Sequence, residues 1–244
     1  LKQFKNYLMQ QKKSIQSYKN ILFIFILGVF SFLINYYYGF IGMMPMDNTV
    51  LYNGGYRVLS GYVPFTDYWL VTGPLLDYLN AFFFWLLGVS WKTFIIHSSL
   101  FNLFIALASY YLFKELKLSS NFSFFYAALI SILFYPVVGT PFVDHHSTFF
   151  LILGYYSLIL AINKKNLLYF GVIPFTFCLS FLSKQTPAAY GLIAIIPLLL
   201  IFCFIKKKNA KKILFFLSYG SVISFLFIYL FFYFSKIDIF NFIN

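Results

Sequence analysis

The sequence has 244 residues, of which 61% are apolar, 25% are aromatic and only 10% are charged. In soluble domains about a quarter of the residues are charged. This composition therefore excludes an ordinary soluble protein and indicates an all-α polytopic membrane protein. The formal net charge of +12 comes from short lysine clusters between apolar runs. Topology signals are distributed in this way, so the charge favours membrane lipids and not nucleic acid as partner.

Residues 1–20 contain five lysines and no acidic residue, and we expect them to form a cytoplasmic basic N-terminus. The apolar run 21–38 follows. Its 18 residues are enough to cross about 30 Å of hydrocarbon, and it lacks the cleavage site of a secretory signal. Further apolar runs occupy 93–113, 121–138, 147–163, 167–183, 188–205 and 213–234. The sequence therefore predicts seven transmembrane helices in a membrane domain of residues 21–235.

A shorter apolar segment, 74–88, lies within the predicted first outer loop of residues 39–92. Its apolar side chains recur at helical spacing on one side, and they are Leu75, Leu76, Leu79, Phe82, Phe83 and Leu86. This pattern is typical of a helix that lies in the membrane interface. Asp77 would then belong to its wet face.

The lysines indicate whether segment 74–88 crosses the membrane. If it does not cross, the positive-inside rule assigns most basic residues to the cytoplasm, the exceptions being Arg57, Lys92, Lys184 and Lys236. Every acidic residue except Glu115 then faces away from the cytoplasm. If it crossed, the clusters from Lys114 through Lys212 would move outside. We therefore predict seven spans, one interfacial helix and an outer tail over 236–244, and we expect the chain to be a piece of a longer protein.

Residues 44–78 form a polar, turn-rich stretch between apolar segments. They contain Asp47, Asp67, Asp77 and the only arginine, Arg57. Membrane proteins perform their chemistry in such loops. We therefore expect this loop to contain the functional site.

Two acidic positions are candidates for catalysis. Asp47 could be a general base, which must lie within hydrogen-bond reach of its proton, or a solvated or helix-capping carboxylate. Asp144 could act with it, and Asp47, Asp144 and His145 could share a divalent metal ion through oxygen and imidazole donors. The alternative is that Asp144 or Ser147 caps the next helix, with His145 and His146 wetted at the interface.

The cations and polar residues near these acids predict substrate contacts. Arg57 and Lys184 are candidates for binding a phosphate. Asp67, Tyr68 and Gln185 are candidates for binding the rest of the substrate, although Asp67 could simply close the turn around Pro64. For His97 we expect a satisfied polar residue between helices.

Several of these motifs, taken in order, resemble the GT-C superfamily of membrane glycosyltransferases, in particular its ArnT-like and protein-mannosyltransferase-like branch with the RgtA/B/C/D-like group. The matching pieces are Asp47, Gly61-Tyr62-Val63-Pro64-Phe65-Thr66-Asp67, Gly73-Pro74-Leu75, Leu87-Gly88, Asp144 and Phe181-Leu182-Ser183-Lys184-Gln185. Asn48 and Thr72 depart from the pattern, since relatives often have a second acid and a lysine there.

The resemblance implies a GT-C-like fold and an inverting transfer of sugar from a polyprenyl-phosphate carrier to a lipid, glycan or protein acceptor. The active side would face away from the cytoplasm in the cell (inner) membrane. Asp47 would be the base, Asp144 would assist it or help to bind a metal, and Arg57 and Lys184 would contact the carrier phosphate. The alternative functions are a lipid or glycan transporter (flippase) and a non-catalytic scaffold. A transporter should show repeated halves and ionisable residues at mid-membrane, and the absence of both from the sequence favours the enzyme.

Overall fold

The computed structural model describes residues 2–42 and 45–243, and this part of the chain is helical with no β-strand. A 3₁₀ turn occupies Tyr135–Val137. The α-helices are α1 Lys2–Ile41, α2 Pro45–Leu59, α3 Leu75–Leu87, α4 Trp91–Glu115, α5 Ser120–Leu133, α6 Val143–Lys164, α7 Leu168–Ser183, α8 Gln185–Ile205, α9 Lys207–Ser235 and α10 Ile239–Ile243.

Six helical segments in this part of the chain are long and apolar enough to cross a membrane: Tyr18–Ile41, Trp91–Glu115, Ser120–Val137, Val143–Lys164, Gln185–Ile205 and Lys207–Ser235. They coincide with six of the predicted spans, so the prediction of a polytopic helical membrane protein is confirmed. The remaining predicted span, α7, has 16 residues. At 1.5 Å per residue it is about 24 Å long, which is shorter than a typical hydrocarbon layer. The seventh span stays a prediction.

Two groups of long helices each share a buried apolar cluster. Helices α1, α4 and α5 share a buried cluster of Leu27, Ala106, Tyr110 and Ala127, and α6 to α9 share one that includes Leu158, Phe170, Phe177, Ile195 and Ile213. Within the first group the Asn102 amide donates hydrogen bonds to the carbonyls of Ser31 and Ser131, at 2.8 and 3.0 Å. Such bonds hold helices together where lipid supplies no hydrophobic driving force between them.

The bundle has two chemically different ends. At the first, which we call the basic end, the Asn20 side chain accepts hydrogen bonds from Tyr110 and Ser120, and Glu115 pairs with Lys164 at 3.1 Å. These contacts bring together the start of the α1 span, the α4–α5 connection and the end of α6. The opposite end contains α2, α3 and the start of α6, and we call it the cavity end.

Helix α2 corrects the prediction that residues 39–92 form a loop around one helix. Gly54 and Gly55 look like turn residues in the sequence, but here they allow α2 to pack closely on α3. A Cβ atom on Gly55 would lie 2.4 Å from the Cβ atom of Asn80. Pro45 begins the helix, where a missing backbone N–H costs nothing.

Helix α3 also differs from the predicted arrangement. Its buried residues are Leu75, Leu76, Asp77, Asn80, Ala81 and Phe84, whereas Phe82 and Leu86 of the predicted apolar side are 51% and 56% exposed. The prediction that Asp77 lies on a wet face was therefore wrong. The helix buries its polar edge against α2 and α4 and turns aromatic side chains outward, which is the arrangement expected next to lipid.

Candidate active site

A cavity of about 630 Å³ opens at the cavity end, within the size range of small-molecule sites. It brings together five of the predicted site residues from four separate segments of the chain. These are Asp47, Arg57, Tyr68, Asp144 and Lys184, and Asp77 joins them. Asp47 and Asp144 therefore lie at the same end of the molecule, around one space.

Asp144 and Lys184 form the ion pair of this cavity. The Lys184 ammonium donates hydrogen bonds to both Asp144 carboxylate oxygens at 2.8 Å. The Asp144 side chain is 41% exposed and the Lys184 side chain is 30% exposed. The Ser147 hydroxyl forms hydrogen bonds with the Ser180 hydroxyl at 2.9 Å and with the Lys184 carbonyl at 3.1 Å. These bonds hold the backbone of Lys184 against α6. Helix α6 begins after Phe142 without a side-chain cap, so the alternative in which Asp144 or Ser147 caps it was wrong.

Asp77 is the residue that sequence reasoning missed. Its side chain is 2% exposed, and its carboxylate accepts a 2.7 Å hydrogen bond from the Tyr68 hydroxyl. Burial raises the pKa of Asp77 to about 7, although the Tyr68 hydrogen bond and the Arg57 charge act in the opposite direction. Burial and the neighbouring Asp77 charge likewise raise the pKa of Tyr68. The sequence did contain a signal, because Asp77 is the only carboxylate in the apolar segment 74–88.

A glycine makes room for this carboxyl group. A Cβ atom on Gly54 would lie 2.4 Å from the Asp77 carboxylate, so α2 can approach the acid only where it has no side chain. The buried Asp77 therefore depends on the close packing of α2 and α3.

Arg57, at the end of α2, is the unpaired cation of the cavity. Its guanidinium lies 5.1 Å from the centre of the Tyr68 ring, a cation–π distance, and no described carboxylate lies within ion-pair distance of it. Tyr68 thus links Arg57 to Asp77. The arginine is available to an anion, whereas Lys184 is already bound to Asp144.

Asp47 stands in the first turn of α2, exposed to the cavity. In the described part of the chain no hydrogen bond or ion pair reaches its carboxylate. Asn48, which stands where relatives often have a second acid, is fully buried and accepts a 3.0 Å hydrogen bond from Thr140. Of these two neighbours, only Asp47 lines the cavity.

Three other predicted residues are not brought to this cavity. Asp67 accepts a 2.7 Å hydrogen bond from the Val63 N–H, which is the turn-closing role. It borders a neighbouring groove of about 370 Å³ that shares Arg57 and Tyr68 with the cavity. Gln185 begins α8 and does not line the cavity. His145 packs against aromatic rings at the α5–α6 connection, namely Phe134, Tyr135 and Phe142.

These positions do not fit the predicted metal site. Both oxygens of Asp144 bind Lys184, and His145 lies away from Asp47. Within residues 2–42 and 45–243, no three His, Cys, Asp or Glu side chains are grouped so that they could hold a metal ion. The carboxylates of the cavity are therefore assigned no metal ion.

The remaining histidines form a buried network behind the cavity. The Nδ1 atom of His97 lies 2.7 Å from the side-chain oxygen Oδ1 of Asn80, and its Nε2 atom lies 3.0 Å from Nε2 of His146. The Asn80 side-chain amide donates a hydrogen bond to the Leu51 carbonyl at 3.1 Å. The prediction for His97 is confirmed. The alternative in which His146 is wetted was wrong, since it is fully buried and links α6 to α4 and α3.

Comparisons with models of protein families, with characterised proteins and with solved structures give no match to this chain. The cavity itself offers one free carboxylate, one free guanidinium, one ion pair and one buried acid hydrogen-bonded to a tyrosine. This set can accept a proton at one point and stabilise negative charge at another.

Proposed function

We propose that this protein is a glycosyltransferase that moves a sugar from a polyprenyl-phosphate carrier to an acceptor hydroxyl on a lipid, glycan or protein. The observation that supports this proposal is that one cavity contains both a carboxylate, Asp47, and a guanidinium, Arg57, neither of which is in an ion pair with another described residue. Asp47 and Arg57 are ten positions apart on α2, which corresponds to about 15 Å along the helix axis. A sugar phosphate has room between them.

In the proposed reaction Asp47 is the general base. It takes the proton of the acceptor hydroxyl while the acceptor oxygen bonds to the anomeric carbon. The bond from that carbon to the phosphate oxygen breaks, and the phosphate keeps the electron pair. A single displacement of this kind inverts the anomeric configuration.

Arg57 stabilises the charge that develops on the leaving phosphate, because its planar fork can bind two phosphate oxygens. Tyr68 positions Arg57 from one side, and Asp77 fixes the Tyr68 hydroxyl. Lys184 has three N–H donors, of which two are used by Asp144, so one remains for the carrier phosphate. Asp144 thus assists by holding Lys184 at the cavity wall.

The surroundings of the cavity suit a lipid-linked donor. Trp69 and Val71 line it and are 81% and 69% exposed, and tryptophan is enriched where proteins meet the membrane interface. A polyprenyl chain can lie against such a rim while its phosphate enters the cavity.

We further propose a GT-C-like arrangement with seven spans, of which α7 is the seventh. Helix α7 begins near the basic end, where Phe170 packs with Ile213. It ends at Ser183, directly before Lys184 of the cavity. The lysines of the basic end support an orientation in which the cavity end faces away from the cytoplasm.

The test is sugar transfer by the purified protein from a panel of labelled polyprenyl-phosphate sugars. We expect Asp47→Asn to lower kcat by at least about 100-fold, the usual contribution of a positioned base. Asp238→Asn is the matched control, since it removes one acidic charge at a position outside the cavity and should leave kcat unchanged. Arg57→Gln should lower kcat/KM, and Arg57→Lys should recover part of the loss.

Two results would contradict the proposal. Sugar transfer at the wild-type rate by Asp47→Asn would exclude Asp47 as the general base. Movement of the carrier lipid across vesicle membranes without sugar transfer would favour the transporter.

A further inference from the structure

A second cavity, of about 360 Å³, lies at the basic end and is separate from the candidate active site. Its rim carries Lys165 of the α6–α7 connection, Lys206 of the α8–α9 connection and Asn209 of the first turn of α9. Its floor is apolar and includes Phe170, Phe202 and Ile213. A cationic rim above an apolar floor is the combination that an amphiphilic anion requires.

The position of the two lysines matches the surface of a membrane. The candidate spans α6 and α8 end at Lys164 and Ile205, so Lys165 and Lys206 each follow directly after the end of a span. Lipid phosphates lie at this depth. Phe170 and Ile213 are each 1% exposed and close the base of the cavity. The half-buried Leu167 and Phe202 supply its accessible apolar surface.

The positive charge of this rim is not neutralised by the protein. Glu115, the acidic residue of the basic end, is bound to Lys164 at 3.1 Å, and no described carboxylate pairs with Lys165 or Lys206. The connection and the first turns of α9 add four further lysines and no acid, namely Lys207, Lys208, Lys211 and Lys212. The cavity therefore attracts anions.

We propose that this cavity binds one anionic phospholipid, with the phosphodiester between Lys165 and Lys206 and an acyl chain over the apolar floor. Free phosphate would satisfy the lysines but would leave the floor unused. A zwitterionic lipid would cover the floor but would bring its own ammonium to a cationic rim. The inference does not depend on the glycosyltransferase proposal.

The backbone at Lys165 allows a sharp test. Lys165 directly follows the last residue of α6 and has a φ of 53°, in the left-handed region that favours glycine. Lys165→Gly therefore removes the ammonium while relieving the backbone. Lys117 is a matched control, because it also has a left-handed φ, 66°, belongs to the basic end and does not line the cavity.

The experiment is native mass spectrometry of the full chain in detergent, titrated with phosphatidylglycerol or with phosphatidylcholine of the same acyl chains. We expect one phosphatidylglycerol to bind more tightly than phosphatidylcholine. Lys165→Gly and Lys206→Gln should each weaken it about five-fold, which is the effect of one lysine near an anionic headgroup. Lys117→Gly should leave it unchanged. Lys208→Gln removes a charge that does not line the cavity, so it should weaken binding clearly less than Lys206→Gln does.

Three outcomes would overturn the proposal. Equal weakening by the control variants would mean that the lysine clusters attract lipid without a built site. Equal affinity for the two lipids would show that the lysines of the rim do not select an anionic headgroup. Displacement of phosphatidylglycerol by millimolar inorganic phosphate would show that the cavity recognises phosphate and not the lipid.

Discussion

Replacing Asp77 by asparagine should stabilise the protein at alkaline pH and not at acidic pH. In the folded protein the pKa of Asp77 is raised to about 7 from an ordinary value of 3.8, because the carboxyl group is buried. The folded state therefore holds this proton up to about pH 7, whereas the unfolded state loses it above 3.8. The contribution of Asp77 to stability is highest below about pH 4 and falls as the pH rises to 7.

The size of the effect follows from the two pKa values. A tenfold difference in proton affinity corresponds to about 1.4 kcal/mol, so the rise from 3.8 to about 7 destabilises the folded state by about 4 kcal/mol above pH 7. For a chain of this size 1 kcal/mol corresponds to about 2–4 °C in Tm. Below about pH 4 the variant should differ little from the wild type, since asparagine can still accept the Tyr68 hydrogen bond. At pH 5 the wild type has already lost about 1.6 kcal/mol, because the pH is then 1.2 above the ordinary pKa of 3.8.

The assay is thermal unfolding in detergent between pH 5 and 8. The Tm of the wild type should fall towards pH 8, the Asp77→Asn variant should show a flatter profile, and Asp47→Asn, which removes an exposed carboxylate, should follow the wild type. Tyr68→Phe removes a hydrogen bond that lowers the pKa of Asp77, so the fall should then shift to higher pH. Parallel profiles for the wild type and Asp77→Asn would refute the reasoning.

Two further predictions concern packing and the ion pair. Gly54→Ala should destabilise the protein by about 1–3 kcal/mol, because its Cβ atom would meet the Asp77 carboxylate at 2.4 Å, whereas Gly28→Ala, with no side-chain atom closer than 3.9 Å, should be stabilising in the same unfolding assay. Asp144→Asn and Lys184→Gln should show a coupling energy of at most about 1 kcal/mol in a double-mutant cycle of unfolding free energies, since the pair is partly exposed. Each variant should nevertheless lower the rate of sugar transfer severalfold. Unchanged transfer in both would exclude the pair from the reaction.

The missed helix α2 shows where sequence reasoning reached its limit. Gly54 and Gly55 have weak helix propensity, so the stretch 44–78 resembled a loop. In the structure they lie where α2 meets Asp77 and Asn80 of α3. A helix that forms because of its tertiary contacts cannot be recognised from local preference alone.

The lining of the cavity was predictable in part. Asp47, Arg57, Tyr68, Asp144 and Lys184 were predicted from residue type and charge, and the structure places them around one space. Their pairing was not predictable, because nothing local indicates that Lys184 binds Asp144 and leaves Arg57 free.

The amino-acid sequence by itself determined that this chain is a bundle of membrane helices, because hydrophobic length and lysine placement are local properties that need no knowledge of contacts. Only the tertiary structure decided which side chains carry free charge. Asp77 is buried because Gly54 admits it, and His145 turns to the aromatic rings instead of to Asp47. Such outcomes depend on which helices meet, and the distances across those contacts are not encoded within any one segment.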